Sequence, residues 1–286
     1  METSSSTPLL TGPLGWLNIL YEMIKKELTI MLRYPVEFVA SFGQILLVVV
    51  VLTLAGLMFS RSGAKPSDSN SNTAGLVVYG FIIFLFLSDT LWNIGYNIRR
   101  EQKQGTLEQL YLSPASKFAS LVSRIAVTLV WMGLGAVMCA VLMSALIGRL
   151  PFQNLPLGIY VLVMTLAGTF GVGFAFAALT LRIRETAQTL ANLIQFAFMV
   201  LCAPFFPYRA LPGWLLYISR AIPLSYGIDA FRSTLMGYPP GFPELAPIGV
   251  ELIVVTLFGL LMPAIGFWWY QAEENRARRM GSLSEY

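Results

Sequence analysis

Long apolar stretches with few charges constrain this chain more than any other feature. Six of them occur, at about 36–59, 74–92, 118–148, 156–181, 186–206 and 246–270. Because about 20 apolar residues in a helix cross the hydrocarbon core of a bilayer, each stretch predicts a membrane span. The chain is 56% hydrophobic and only 12% charged, whereas soluble domains carry about 25% charged residues. We therefore expect an all-α polytopic membrane protein with six transmembrane helices.

The segments that flank the spans have different compositions. Residues 1–13 are small and polar and predict a flexible tail. Residues 14–35 carry apolar side chains every three or four positions and charged ones between them, which predicts a connecting helix that lies in the membrane interface. Residues 271–286 are rich in charge and predict a cytoplasmic tail.

The distribution of positive charge predicts the orientation. With six spans, both termini lie on one side of the membrane, and thirteen of the 19 lysine and arginine residues fall on that side. Since positive residues accumulate in cytoplasmic loops, we expect both termini in the cytoplasm of a multi-pass plasma membrane protein. The segment between spans two and three is then cytoplasmic, and the segment between spans five and six is external.

The segment at 207–245 is apolar but cannot form one continuous span. Its prolines interrupt any long helix. Arg209, Arg220, Asp229 and Arg232 make exposure to lipid costly. We expect two short external helices that re-enter the membrane or cap its outer face.

A polar segment at about 101–112 interrupts the apolar sequence on the cytoplasmic side. Thr106 and Gln109 match a capping box, and Gly105 before them frees the direction of chain entry. Leu107 and Leu110 share one face of the predicted helix. From the residues alone, this helix either rests on lipid or docks onto a soluble partner.

Several kinds of chemistry are excluded by residue content. The chain has no histidine and two cysteines, Cys139 and Cys202, both in apolar stretches. A metal centre needs clustered ligands, and a Ser–His or Cys–His nucleophile needs histidine. We expect no enzyme activity, no metal site and two buried thiols. No dense basic run suggests nucleic-acid binding.

Two motifs resemble type 2 ABC exporter permeases, the transmembrane subunits of drug, lipid and polysaccharide exporters. One combines Glu101, the run from Gly105 to Glu108, and the dipeptide at 113–114. The other comprises PFFP at 204–207, LPGW at 211–214 and IPLSYGIDAFR at 222–232. The six-span layout resembles the same family, so the similarity extends over nearly the whole chain.

The resemblance implies a coupling helix at about 101–112 that fits a groove on a cytoplasmic ABC ATPase. The residues assigned to that contact are Glu101, Gly105, Thr106, Leu107, Glu108 and Leu110. It also implies a second permease copy, as a homodimer or a related heterodimer. The sequence has no G-x-x-x-x-G-K-[ST] loop. We therefore expect no cofactor on this chain, with ATP and Mg²⁺ bound by the separate ATPase.

A substrate path is the remaining candidate site. Polar side chains in or near the spans are its candidate residues: Gln44, Asn93, Asn97, Asn192 and Gln195. In the related family, spans one, two and five line the path, but such amides also simply join helices through hydrogen bonds. The expected cargo is hydrophobic or amphipathic. An ion-coupled secondary transporter is the alternative, although Glu37, Asp89 and Glu251 lie towards span ends, where capping explains them.

Overall fold

The computed structural model describes residues 75–91, 132–138, 151–183 and 186–279, together with separate positions between 21 and 144. The stretch 132–138 is helical. In these continuous ranges every regular element is a helix: α1 Gly75–Leu91, α2 Leu155–Ile183, α3 Ala187–Leu201, a 3₁₀ helix Tyr208–Ala210, α4 Gly213–Ala221, α5 Pro223–Met236 and α6 Ile248–Arg279. We call residues 202–247, between α3 and α6, the connector. The all-helical fold class is therefore confirmed for the described residues.

Two helices are long and apolar enough to cross a membrane, over Leu155–Thr180 in α2 and Ile248–Arg276 in α6. Their positions agree with the predicted stretches at 156–181 and 246–270. The helix α6 continues through the charged residues to Arg279, which the sequence analysis had assigned to a tail. The total of six spans stays a prediction.

The helix α3 ends at Leu201, before the predicted end of its stretch at residue 206. Its 15 residues give a length of only about 22 Å. Pro204 explains the early end, because proline has no N–H group and disfavours helical backbone in the residue before it. That residue, Ala203, has a φ of 44°.

Helix α2 packs along α6 through small residues. A side chain on Gly171 would overlap the backbone of Met262 and Pro263, and one on Gly259 would overlap the backbone of Met164. Gly168 similarly faces the ring of Phe258. Gly168 and Gly171 thus permit the close approach of the two helices that small residues allow.

The ends of the described helices that meet near the connector indicate the helix directions. The N-terminal ends of α1 and α2 meet where the Tyr79 hydroxyl donates to the carbonyl of Pro151. The C-terminal end of α3 lies there too, because Ser219 of α4 donates to the carbonyl of Leu201 at 2.6 Å. Since α6 also begins at the connector, α1, α2 and α6 run one way and α3 runs the other.

The connector contains two short helices, as expected from its prolines. The helix α4 exposes Trp214 and Tyr217, whereas α5 is buried along most of its length. Helix α5 packs against α2 where Gly227 faces Thr165, and against α1 where the rings of Tyr79 and Phe231 meet edge to face at 5.9 Å. The protein therefore surrounds α5 on several sides. Whether the connector re-enters the membrane is not tested by these contacts.

Parts of the predicted architecture lie outside the described residues. Tyr21, Lys25, Thr29 and Arg33 are helical and exposed, and Thr29 donates to the carbonyl of Lys25 at 2.7 Å. The other positions of the predicted connecting helix and the whole of 101–112 lie outside.

Candidate functional site

A buried arginine forms the centre of the polar contacts in the connector. Arg232 of α5 has no solvent exposure. Its Nε donates to the carbonyl of Leu76 in α1 at 2.9 Å, and its Nη2 donates to the carbonyls of Ala203 and Pro204 at 2.8 and 2.5 Å. Arginine has five N–H donors in a planar fork, so one side chain can serve several acceptors. Arg232 thereby joins α5 to α1 and to the chain that follows α3.

The guanidinium reaches α1 because position 80 is glycine. A methyl group at Gly80 would overlap Nη2 of Arg232 and the carbonyl oxygen of Pro204, and would lie 2.7 Å from Cζ of Arg232. Gly80 follows Leu76 by four positions, so the two residues lie on the same face of α1. The guanidinium of Arg232 contacts this face. The close approach of the three segments therefore depends on the missing side chain.

The carboxylate of Asp229 holds the end of the connector against α5. Its Oδ2 accepts hydrogen bonds from the amides of Glu244 and Leu245 at 2.7 and 2.8 Å. Burial raises the pKa of Asp229, while these two amides and the charge of Arg232 oppose that shift. Asp229 and Arg232, three positions apart on α5, hold different segments.

Glu251 in the first turn of α6 extends this cluster. Its Oε1 accepts from the amide of Ala246 at 3.3 Å, a contact of the kind expected for an acidic residue near a helix N-terminus. The predicted capping role is thus present. The side chain is also fully buried and lies near Asp229, which accepts from the adjacent amide of Leu245.

Tyr208 and Glu244 complete the buried contacts. The Tyr208 hydroxyl lies 2.7 Å from the carbonyl oxygen of Cys202 and 3.0 Å from that of Ser225. The Tyr208 amide donates to Glu244, whose other oxygen lies 3.6 Å from Nε of Arg209. Burial is the main cause that raises the pKa of Glu244, and Asp229 raises it further. These contacts tie the 3₁₀ helix to both ends of the connector.

This arrangement holds the helices and the connector together. The described residues contain no cluster of three or more histidine, cysteine or acidic residues that could hold a metal ion. Cys202 is a buried free thiol, as predicted, and the hydroxyl of Ser225 lies 3.6 Å from its sulfur. Cys139 lies outside the described residues.

The predicted site residues are only partly described. All six coupling residues lie outside: Glu101, Gly105, Thr106, Leu107, Glu108 and Leu110. Gln44, Asn93 and Asn97 lie outside as well. Asn192 and Gln195 both lie half-buried on α3, three positions apart and therefore on one face of the helix.

Asp229 and Arg232 belong to the motif at 222–232, and the sequence predicts no contacts for them. Two opposite charges three positions apart in an apolar helix are the signal that could have suggested a buried role. Their actual partners are backbone groups at 76, 203–206 and 244–245. No residue type in the sequence marks those groups.

Comparison with known proteins agrees with this architecture. The profile of the family described as ABC-2 family transporter protein matches residues 57–268. A Porphyra purpurea protein named as transport permease ycf38 is 25% identical over 202 residues, or 70% of this chain and 68% of the relative. A Mycobacterium tuberculosis protein named as doxorubicin resistance ABC transporter permease DrrC is 22% identical over 239 residues, or 78% of each chain. The matched range contains α1 to α5, the connector and most of α6, and the chain therefore belongs to the ABC-2 family of transport permeases.

Proposed function

We propose that this protein is the permease subunit of an ATP-driven exporter. The carrying observation is the family match over 57–268, which includes all the continuous described helices up to residue 268. The relative named for doxorubicin resistance supports a hydrophobic or amphipathic cargo. We place drugs, lipids and lipid-linked glycans in that class. Direction of transport and energy source are parts of the proposal.

The proposed energy source is a separate ABC ATPase in the cytoplasm, which binds ATP and Mg²⁺. Membership of a permease family supports such a partner in general. The contact surface would be the helix at 101–112, with Leu107 and Leu110 in the groove of the ATPase. Closure of two ATPase copies would then move this helix and the spans joined to it.

The proposed transport path lies between two permease copies in the plasma membrane, with both termini in the cytoplasm. Asn192 and Gln195 of α3 would line it together with Gln44, Asn93 and Asn97. The exposure of Leu193 and Phe196 on the same helix supports an apolar contact with lipid or with the second copy. The connector would close the outer end of this path.

The hydrogen bonds that connect α1, α5 and the chain after α3 support a mechanical role for the connector. Arg232 links these segments through four carbonyl oxygens. A movement of α1 that begins on the cytoplasmic side would therefore reach the connector directly. This is a positional argument for coupling between the two ends of the permease.

The test is transport by purified components in liposomes. The permease is first isolated in mild detergent, and the ATPase that co-purifies is identified by its phosphate-binding loop. Both are reconstituted without an ion gradient, and uptake of a labelled amphipathic compound is measured with ATP and with a non-hydrolysable analogue. Uptake that requires ATP hydrolysis and the ATPase is expected. Transport by the permease alone contradicts the proposal.

An ion-coupled secondary transporter is the second candidate, and one observation favours it. Asp229 and Glu251 are buried acidic side chains that accept from neighbouring amides, a type of group that carries protons in such transporters. Against it, Glu251 lies in the first turn of α6, at one end of the helix. The same liposomes decide the question, because transport driven by a proton gradient without ATP or ATPase would favour this candidate.

A further inference from the structure

Asp229 of α5 and Glu251 of α6 meet as a buried pair of carboxyl groups. Neither side chain is exposed to solvent. One oxygen of each already has its partner: Asp229 Oδ2 accepts from two amides, and Glu251 Oε1 accepts from the amide of Ala246. The two carboxyl groups lie close together, because they accept from the consecutive amides of residues 244–246.

The other two oxygens, Asp229 Oδ1 and Glu251 Oε2, receive no N–H or O–H group from the described part of the protein. Two ionised carboxylates are acceptors only, so they cannot form a hydrogen bond with each other. One of the two must carry a proton. Without it, two negative charges would face each other away from water, which is strongly unfavourable.

Other charged and titratable groups around the pair do not remove this requirement. Arg232 on α5 faces Asp229, but its hydrogen bonds go to backbone carbonyls. Glu244 adds negative charge and has Arg209 as its own partner. Tyr208 and Tyr238 face the two acids as neutral phenols. With one proton on the pair, Asp229, Glu251 and Arg232 together have zero net charge.

We infer that Asp229 and Glu251 bind one proton between them, and that this proton fastens the connector to the first turn of α6. We identify the ligand as a proton because Asp229 Oδ1 and Glu251 Oε2 can only accept a hydrogen bond and receive no donor from the described residues. Loss of the proton would separate α5 from α6 at the point where Asp229 also holds residues 244–245. The connector would therefore loosen when the solution becomes more alkaline.

The direction of the pH dependence follows from linkage. Burial raises the pKa of Asp229 above its usual value, so the folded protein keeps a proton that the unfolded chain has already released. Stability is then greatest at low pH and falls as the pH rises from the usual carboxyl range through the raised pKa of Asp229.

Infrared spectroscopy and thermal unfolding test this on the full-length protein in detergent. At neutral pH the wild type should show the C=O stretching band of a protonated carboxyl group, and Glu251→Gln should remove it. The unfolding temperature of the wild type should fall as the pH rises above the usual carboxyl range. Glu251→Gln should flatten this slope, because its amide group is a permanent donor to Asp229 Oδ1. Glu273→Gln, on the same helix, should keep both the band and the slope.

Each contrary result overturns the inference. A difference spectrum without a protonated carboxyl band means that the pair carries no proton. If the unfolding temperature of Glu251→Gln depends on pH as strongly as that of the wild type, the proton lies elsewhere. An unfolding temperature that depends on sodium concentration and not on pH means that a cation occupies the pair. If Glu251→Gln does not fold, Asp229→Asn provides the same comparison, since its amide can donate to Glu251 Oε2.

Discussion

Nε of Arg232 lies 2.9 Å from the carbonyl oxygen of Leu76, although 156 positions separate the two residues. This bond connects α5, in the connector, with the first turn of α1. The same guanidinium donates to the carbonyls of Ala203 and Pro204, which follow the C-terminal end of α3. Three segments that are distant in sequence therefore depend on one buried side chain.

Replacing Arg232 by lysine should destabilise the protein by about 2–4 kcal/mol, because a lysine ammonium cannot reach Leu76 and Pro204 together and leaves buried carbonyls unsatisfied. The measurement is denaturant unfolding in detergent. Arg220→Lys is the matched control, since Arg220 is exposed on α4 and should change stability by less than about 0.5 kcal/mol. Equal effects of the two variants would contradict the structural role of Arg232.

Gly80→Ala should destabilise the protein by about 1–3 kcal/mol, because the new methyl group overlaps the guanidinium of Arg232 and the carbonyl of Pro204. Gly249→Ala is the control. It lies in α6 with nothing within 4 Å of its Cβ position, and alanine there should stabilise by about 0.5–1 kcal/mol. Opposite signs of the two changes in unfolding free energy are expected. If Gly80→Ala stabilises the protein, α1 and Arg232 must be farther apart than the contacts at Gly80 indicate.

Tyr208→Phe should cost about 1–3 kcal/mol of unfolding free energy, because the carbonyls of Cys202 and Ser225 lose their shared hydroxyl donor inside the protein. Tyr217→Phe makes the same chemical change on α4, where Tyr217 is 75% exposed. That variant should unfold like the wild type. If Tyr208→Phe also unfolds like the wild type, its hydroxyl does not stabilise the connector.

Local patterns in the sequence predicted the helices well. The end residues Leu155 and Ile183 of α2 lie within two positions of the predicted bounds. The prolines of the connector predicted its division into short helices. The predicted stretch of α3 was too long, because hydropathy continues past Leu201 whereas the backbone is interrupted by Pro204.

The buried cluster could not be predicted from the same patterns. Its main partners are backbone carbonyls and amides, which every residue has, so their role depends on tertiary packing. Glu251 illustrates the difference: its contact with the amide of Ala246 follows from its position near a helix start, and its closeness to Asp229 does not. The coupling and path residues stay predictions, since most of them lie outside the described residues.

The proposed coupling helix gives the most direct test of the exporter function. Leu107→Ala combined with Leu110→Ala should weaken binding of the ABC ATPase by about tenfold or more, because the groove of the ATPase loses its contacts with two apolar side chains. Binding is measured with both proteins purified, and ATP hydrolysis in liposomes is measured in parallel. Leu112→Ala removes the same side chain from a position off the predicted apolar face and should change neither quantity. Membrane insertion should stay normal in all variants. A double variant that binds and stimulates the ATPase like the wild type would mean that residues 101–112 are not the docking surface.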